Sequence, residues 1–328
     1  MPDVRARPPR GAGVALWLLA ALIVLAALAP LLANDRPLLA RDEGRIVAPA
    51  LRDLTSGLFG AQGAAPGPWP APGDRVQVLL RAPVPYSYRG IRLDEALHPP
   101  DGRHLLGTDA LGRDLLARLI HGARPSLVIG FGATGIALLL GGLLGALAGL
   151  RGGATDLLVM RVADIIACFP SFILALSFVA AAGHGGIGPM LAAIALNRWT
   201  GTARYVRGEI MRQAGSDLWA AARAAGSSLP RLALRHLLPL LAPALAVMAA
   251  FGVAHAIVLE SGLSFVGLGI EPPAPSWGTM LAEARATLDA AWWPVFFPAA
   301  ALLVVLGALC LAAERTRGGE GRPDPLFP

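Results

Sequence analysis

Lysine is absent from all 328 residues, so every one of the 28 basic side chains is an arginine. A Walker A phosphate loop needs its Gly-Lys-Ser/Thr lysine to reach the nucleotide phosphates, so this chain is not expected to hydrolyse ATP itself. Charge is scarce as well. Charged residues make up 15% of the sequence, against about a quarter in a soluble globular domain. That scarcity excludes a disordered chain, a collagen-like fibre and a typical water-soluble enzyme. Only two cysteines occur, Cys168 and Cys310, both within apolar runs and neither near a second Cys or His at ligand spacing. They cannot make a disulfide framework and read as small buried apolar residues. The six histidines show no ligand-like spacing either, so no metal or other cofactor is expected.

What the sequence has instead is apolar length. Hydrophobic residues account for 55% of it, and the mean hydropathy is +0.58. A helix needs about 20 apolar residues to cross a hydrocarbon core of about 30 Å. Runs of that kind begin with Val14 to Ala33, preceded by Arg5, Arg7 and Arg10. A signal-peptide core is shorter, about 7–15 residues, so this run reads as an uncleaved anchor. Further runs are Ser126 to Leu150, Ala163 to Ala182 with a kink expected at Pro170, and Gly188 to Val206, interrupted by Asn197, Arg198 and Arg204. Leu240 to Leu263 and Pro294 to Ala313 complete six. Gly141, Gly145 and Gly149 give small-xxx-small spacing suited to close helix contact.

Between the first and second runs, Asn34 to Pro125 carries twelve arginines and ten acids and is hydrophilic throughout, with a short strand expected around Val76 to Leu80. The other arginines orient the chain. With the N-terminus in the cytoplasm, the short inner segments hold fourteen of them, and the short outer segments hold only Arg285. The same asymmetry accounts for the net charge of +6 without a nucleic-acid partner.

The most polar inner segment runs from Tyr205 to Pro239. Ser216 is placed to cap a short helix, and Asp217 to favour its positive end. Leu218, Trp219, Ala222 and Ala225 form one apolar face. Gly226 and Pro230 end the helix. Such a face either rests on lipid or docks into a groove of a partner protein. Arg161 and Asp164, three apart, are expected to pair. His255 and Glu260 are ionisable groups inside a span, with Glu260 near its outer end and open to interfacial solvation.

Tyr205-Val206-Arg207-Gly208-Glu209, Ala220-Ala221-Ala222-Arg223-Ala224-Ala225-Gly226 and Arg235-His236-Leu237-Leu238-Pro239 resemble the EAA loop of ABC-importer permeases. In that family the loop forms a coupling helix that docks on the ATPase subunit. The resemblance therefore implies ATPase-coupling roles for Ser216, Asp217, Leu218, Trp219, Ala220, Ala221, Ala222, Arg223, Gly226, Leu238 and Pro239. Ala220 stands where the family usually has glutamate, so any polar contact from that side chain is lost. Two outer stretches narrow the resemblance to the C-type subunit of the dipeptide/oligopeptide importers. One is His104-Leu105-Leu106-Gly107-Thr108-Asp109-Ala110-Leu111-Gly112-Arg113-Asp114. The other is Ser264-Phe265-Val266-Gly267-Leu268-Gly269 with Pro272-Pro273-Ala274-Pro275-Ser276-Trp277-Gly278. Asp109, Arg113 and Asp114 are expected to ion-pair locally at least as readily as they would touch substrate, and Gly107, Gly112, Gly267 and Gly269 to serve tight turns or close approach.

The resemblance implies an all-α integral membrane protein with six transmembrane helices, a type I ABC importer permease (MetI-like) fold, and a long periplasmic loop after the first helix. The expected organisation is a cytoplasmic N-terminus and anchor over 1–33, the hydrophilic loop over 34–121, and a five-helix permease domain over 122–316. That domain contains the coupling loop 205–239, and a cytoplasmic tail follows over 317–328. Implied partners are a second, homologous permease, two ATP-binding subunits, a periplasmic substrate-binding protein and the lipid bilayer. The expected location is the bacterial inner membrane with both termini inside. The alternative functions are an ion-coupled carrier, disfavoured by the lack of inverted repeats and the paucity of buried acids, and an intramembrane serine hydrolase, disfavoured because Ser264 lacks a G-x-S-x-G context.

Overall fold

The computed structural model describes residues 11–42, 45–50, 77–183, 185–217, 219, 224, 226, 232, 235 and 237–317. The elements in chain order are α1 (Gly11–Ala27), α2 (Ala29–Leu32), β1 (Leu39–Asp42), β2 (Arg45–Val47), β3 (Gln77–Leu80), α3 (Leu115–Arg151) and α4 (Gly153–Ala167). They continue with α5 (Ser171–Ala181), α6 (Ile187–Ala214), α7 (Leu238–Phe265), α8 (Trp277–Ala284) and α9 (Trp293–Arg317). Short 3-10 turns lie at Leu93–Glu95 and Arg285–Thr287.

Three of these helices, α3, α7 and α9, are long and apolar enough to cross a membrane. α4 and α5 reach that length only as a pair, and they meet at a bend of 91°. The sequence suggested a kink at Pro170; the structure breaks the run there, because proline lacks the N–H for the ladder and drives the preceding residue out of the helical region. α6 is long enough at 28 residues, but Asn197, Arg198 and Arg204 dilute its apolar content. Many apolar side chains are exposed: Leu139, Leu143 and Leu303 are between 68% and 70% exposed. Patches of that kind require an apolar solvent. Cys168 and Cys310 are exposed too, correcting the expectation that they are buried. In a chain surrounded by lipid, apolar character no longer implies an interior position.

The chain divides into two compact units. One comprises Met1–Leu19, Val128–Leu263 and Val304–Pro328. Its interior depends on missing side chains. A Cβ on Gly141 would lie 2.4 Å from the Trp199 carbonyl oxygen, one on Gly145 2.4 Å from that of Ala203, and one on Gly149 2.9 Å from Ile210 Cβ. The glycines, four apart on α3, thus admit the backbone of α6 at a distance no larger residue allows. Ala148, Val159, Ala163, Trp199 and Ala203 fill the space among α3, α4 and α6. Two ion pairs join α4 to α6. Arg207 grips both Asp156 oxygens, and Arg204 reaches Asp164 at 2.8 Å. Asp164 is therefore engaged from another helix rather than by Arg161, as its spacing had suggested. Glu260 is fully buried rather than solvated at an interface, with the Ser261 hydroxyl 3.5 Å away.

The other unit comprises Ala20–Leu127 and Ser264–Leu303. It is not purely helical. β1 pairs antiparallel with β2 and with β3, in the order β2-β1-β3, with Ala40 opposite Val47 and Val78. β3 agrees with the strand expected around Val76 to Leu80. Its apolar core joins Ala29, Ala33, Ala117 and Ile120, flanked by Val84 and Tyr86.

Candidate functional site

The outer motif is built around a turn that only glycine permits. Gly107 has φ +78°, and a Cβ there would lie 2.7 Å from the His98 carbonyl oxygen and 2.8 Å from Trp293. Gly112, at φ +69°, would place a Cβ 1.7 Å from the Arg92 carbonyl oxygen. Thr108, fully buried between them, accepts the His98 N–H at 2.8 Å and donates to the Glu95 carbonyl at 2.5 Å. Its own carbonyl accepts the Trp293 indole N–H at 3.0 Å. The motif is thereby tied to the start of α9.

Charge is concentrated just below this turn. One oxygen of Asp109 accepts the backbone N–H groups of Leu111 and Arg113 at 2.9 and 3.0 Å. The other takes Arg113 Nε at 2.7 Å and Arg118 Nη1 at 2.5 Å. Glu283, on α8, receives both guanidiniums through one oxygen, at 2.5 and 2.6 Å. Two cations and two anions thus close a ring that joins the motif, α3 and α8. Asp109, Arg113 and Arg118 are buried, so each charge depends on the others for solvation. Together with Tyr88 and Pro272, these side chains line a cavity of about 450 Å³. Asp114 stands apart from the ring. It accepts the Ala117 N–H at 2.8 Å, capping α3, and meets His104 Nδ1 at 2.8 Å. Of the local pairing expected among Asp109, Arg113 and Asp114, the first two pair, and the third turns to histidine.

The second outer stretch is equally architectural. Gly267 takes φ +92° and donates its N–H to the Ser264 carbonyl at 3.0 Å. A Cβ on Gly269 would sit 2.5 Å from Ser264 Oγ. Ser276 and Thr279 form a reciprocal capping box that starts α8, and the buried Trp277 donates its indole N–H to the Leu119 carbonyl at 3.1 Å. Arg118, Glu283 and Trp293 were not singled out in the sequence, and His104 only as the first residue of the quoted motif. Arg118 alone left a trace, as a charge inside the apolar run Leu115 to Ile120.

At the inner candidate site, α6 ends at Ala214. Ser216 Oγ donates to the Gln213 carbonyl at 2.7 Å and accepts the Trp219 N–H at 3.3 Å, the cap its position suggested. Trp219 does not face outward with an apolar docking surface. It packs against Val206, Ile210, Leu237 and Leu241, between the end of α6 and the start of α7. Asp217, Leu238 and Pro239 are exposed, and Gly226 takes φ +79° with open space around it. Leu218, Ala220, Ala221, Ala222 and Arg223 lie outside the described residues. Just before the segment, the Arg212 guanidinium beside Glu209 holds that carboxyl below its usual range.

Residues 141–315 match the family model described as the binding-protein-dependent transport system inner membrane component. Among curated proteins, the chain is 40% identical over 251 residues to the di/tripeptide transport system permease protein DppC of Pseudomonas aeruginosa, covering 75% of this chain and 80% of that one. It is 37% identical over 246 residues to the oligopeptide transport system permease protein OppC of Mycobacterium tuberculosis, with coverage of 75% and 82%. It is also 35% identical over 234 residues to the nickel transport system permease protein NikC of Escherichia coli, with coverage of 71% and 84%. Among solved structures, an inward-facing MetNI methionine ABC transporter shares the fold, with a TM-score of 0.51 at 17% identity over 62% of this chain and 96% of that one. These matches favour an importer permease over the ion-coupled carrier and the intramembrane hydrolase. The chain belongs to the binding-protein-dependent transport system inner membrane component family: it is a membrane-embedded ABC importer permease, with ATP hydrolysed on separate subunits and substrate delivered by a binding protein.

Proposed function

We propose that this chain is one half of the translocation pathway of an ATP-driven peptide importer and works as a heterodimer with a second, homologous permease, on two ATP-binding subunits. In this reading the chain crosses the bacterial inner membrane six times with both termini in the cytoplasm, as the arginine asymmetry favours. Residues 1–33 form the N-terminus and first anchor, 34–121 a periplasmic loop, 122–316 the five-helix permease domain and 317–328 the inner tail. The glycine-rich outer motifs shape the surface that meets the periplasmic binding protein. Peptides are favoured as cargo by the likeness to the di/tripeptide and oligopeptide permeases.

The observation that carries the mechanism is the attachment of the segment after α6. Ser216 caps its first turn, and Trp219 is held between the end of α6 and the start of α7. A partner that displaces this segment when it closes on ATP moves two membrane helices with it. The coupling loop 205–239 would present Ser216, Asp217, Leu218, Ala220, Ala221, Ala222, Arg223 and Gly226 to the ATPase, with Trp219, Leu238 and Pro239 joining the loop to the membrane domain. Deleting residues 216–228 is expected to abolish co-purification of the ATP-binding subunits while membrane insertion persists. Retention of those subunits by the deleted protein would overturn the reading. A thiol introduced as Asp217→Cys should be labelled by an impermeant reagent in inside-out vesicles and not in intact cells.

A further inference from the structure

Within the unit built on α3, α6 and α7, two side chains with hydrogen-bonding capacity converge on one glycine, and a third lies one turn along the same helix. A Cβ on Gly252 would lie 2.6 Å from Thr134 Cγ2, 3.2 Å from Thr134 Oγ1 and 3.3 Å from Arg198 Nη2. His255 is one turn along α7 from Gly252, on the same face, and within the field of the Arg198 guanidinium. Thr134 is 5% exposed, and neither its hydroxyl nor His255 Nδ1 has a hydrogen-bond partner among the described residues. Arg198 likewise has no acidic or hydrogen-bonding partner among them. A guanidinium at this depth is costly, and here no carboxylate of the described residues offsets it.

The donor set decides what would fit. Arginine offers a planar fork suited to the two oxygens of a carboxylate, and a hydroxyl and an imidazole N–H can complete the shell. A cation in transit would be repelled. Gly252 lets Thr134 and the end of Arg198 approach the backbone of α7, since a Cβ there would lie 2.6 Å from Thr134 Cγ2. We propose that Arg198, Thr134 and His255 form a carboxylate-binding station in the membrane domain, which takes the C-terminal carboxylate of a peptide during its passage. The peptide part of this proposal rests on the function proposed above; the anion site itself does not.

Two measurements on the assembled importer separate these parts. The first follows modification of Arg198 by phenylglyoxal, mapped by mass spectrometry, in the whole complex without peptide. Benzoate should slow the modification about threefold while benzamide leaves it unchanged; no protection, or equal protection by both, overturns the site. The second compares uptake of one tripeptide as the free acid and as the C-terminal amide. The acid-to-amide ratio of Arg198→Gln, referred to that of the parent so that the binding protein's own preference cancels, should fall about tenfold, and that of Thr134→Ala about threefold. An unchanged ratio, whether uptake of both peptides drops together or not at all, overturns the station and indicates a packing role or an ion pair to the second permease. Protection by benzoate in an importer that takes up neither peptide would keep the anion site and remove the peptide assignment.

Discussion

The motif around Asp109 and the segment proposed for coupling are held by opposite means. Around Asp109, four charged side chains from three parts of the chain close a ring, three of them buried and Glu283 exposed, and Thr108 and Trp293 bolt the turn above it. Around Ser216, one hydroxyl and one half-buried indole secure the segment to the helices on either side. The first arrangement is stiff because a buried charge without its partner is costly, so no member can move alone. The second can be displaced as a lever, since apolar contacts of one side chain reform at small cost after a shift. A surface that must keep its shape for an incoming protein suits the former, and one that transmits motion suits the latter.

This contrast can be broken by experiment. The largest effect is expected from Asp109→Ala, which leaves the buried Arg113 and Arg118 guanidiniums with only the exposed Glu283 between them; a loss of about 3–5 kcal/mol should appear as a lowered unfolding temperature of the purified complex. Trp219→Ala removes a half-buried indole and should cost about 2 kcal/mol. Its signature is a reduced yield of bound ATP-binding subunits that exceeds any fall in thermal stability. If Asp109→Ala proved the milder of the two in thermal unfolding, the assignment of stiffness to the outer cluster would be wrong. Gly145→Val tests the contact between α3 and α6: wedging the two helices apart should cost about 1–3 kcal/mol by the same assay. Ser216→Ala should cost about 1 kcal/mol, and Ser216→Asp should restore the cap.

The smallest effect concerns pH. The backbone N–H of His104, with that of Arg103, holds the Asp101 carboxyl below its ordinary range. A carboxyl depressed in the folded state adds stability above its unfolded pKa and loses it as pH falls through the folded value. Amide exchange at His104, corrected for intrinsic rate, should therefore quicken below the usual carboxylate range, and Asp101→Asn should remove that dependence.

Several local signals survived into the structure. The Ser216 cap, the turns at Gly107 and Gly112, and the strand at Gln77–Leu80 each follow from residues within a few positions. The glycines of α3 were legible as a stripe, though not the helix they would meet. Long-range partners left little trace. Arg118 and Glu283 are 165 positions apart, and nothing in either neighbourhood names the other. Asp164 offered a tempting partner three residues away and took Arg204 from another helix. Trp219, placed by its spacing on an apolar face, is half-buried against α6 and α7, because helical spacing defines such a face but not what it meets.

Composition and order alone determined that this chain lives in lipid, hydrolyses no nucleotide by a Walker loop, and carries family motifs in sequence. Those properties sum over many residues or reside in short windows, so they need no folded context. Tertiary structure decided which charges share a ring, how sharply the chain breaks at Pro170, and that Arg198 and Thr134 meet at Gly252. Such encounters depend on how helices cross, and a crossing is set by small side chains on both helices at once.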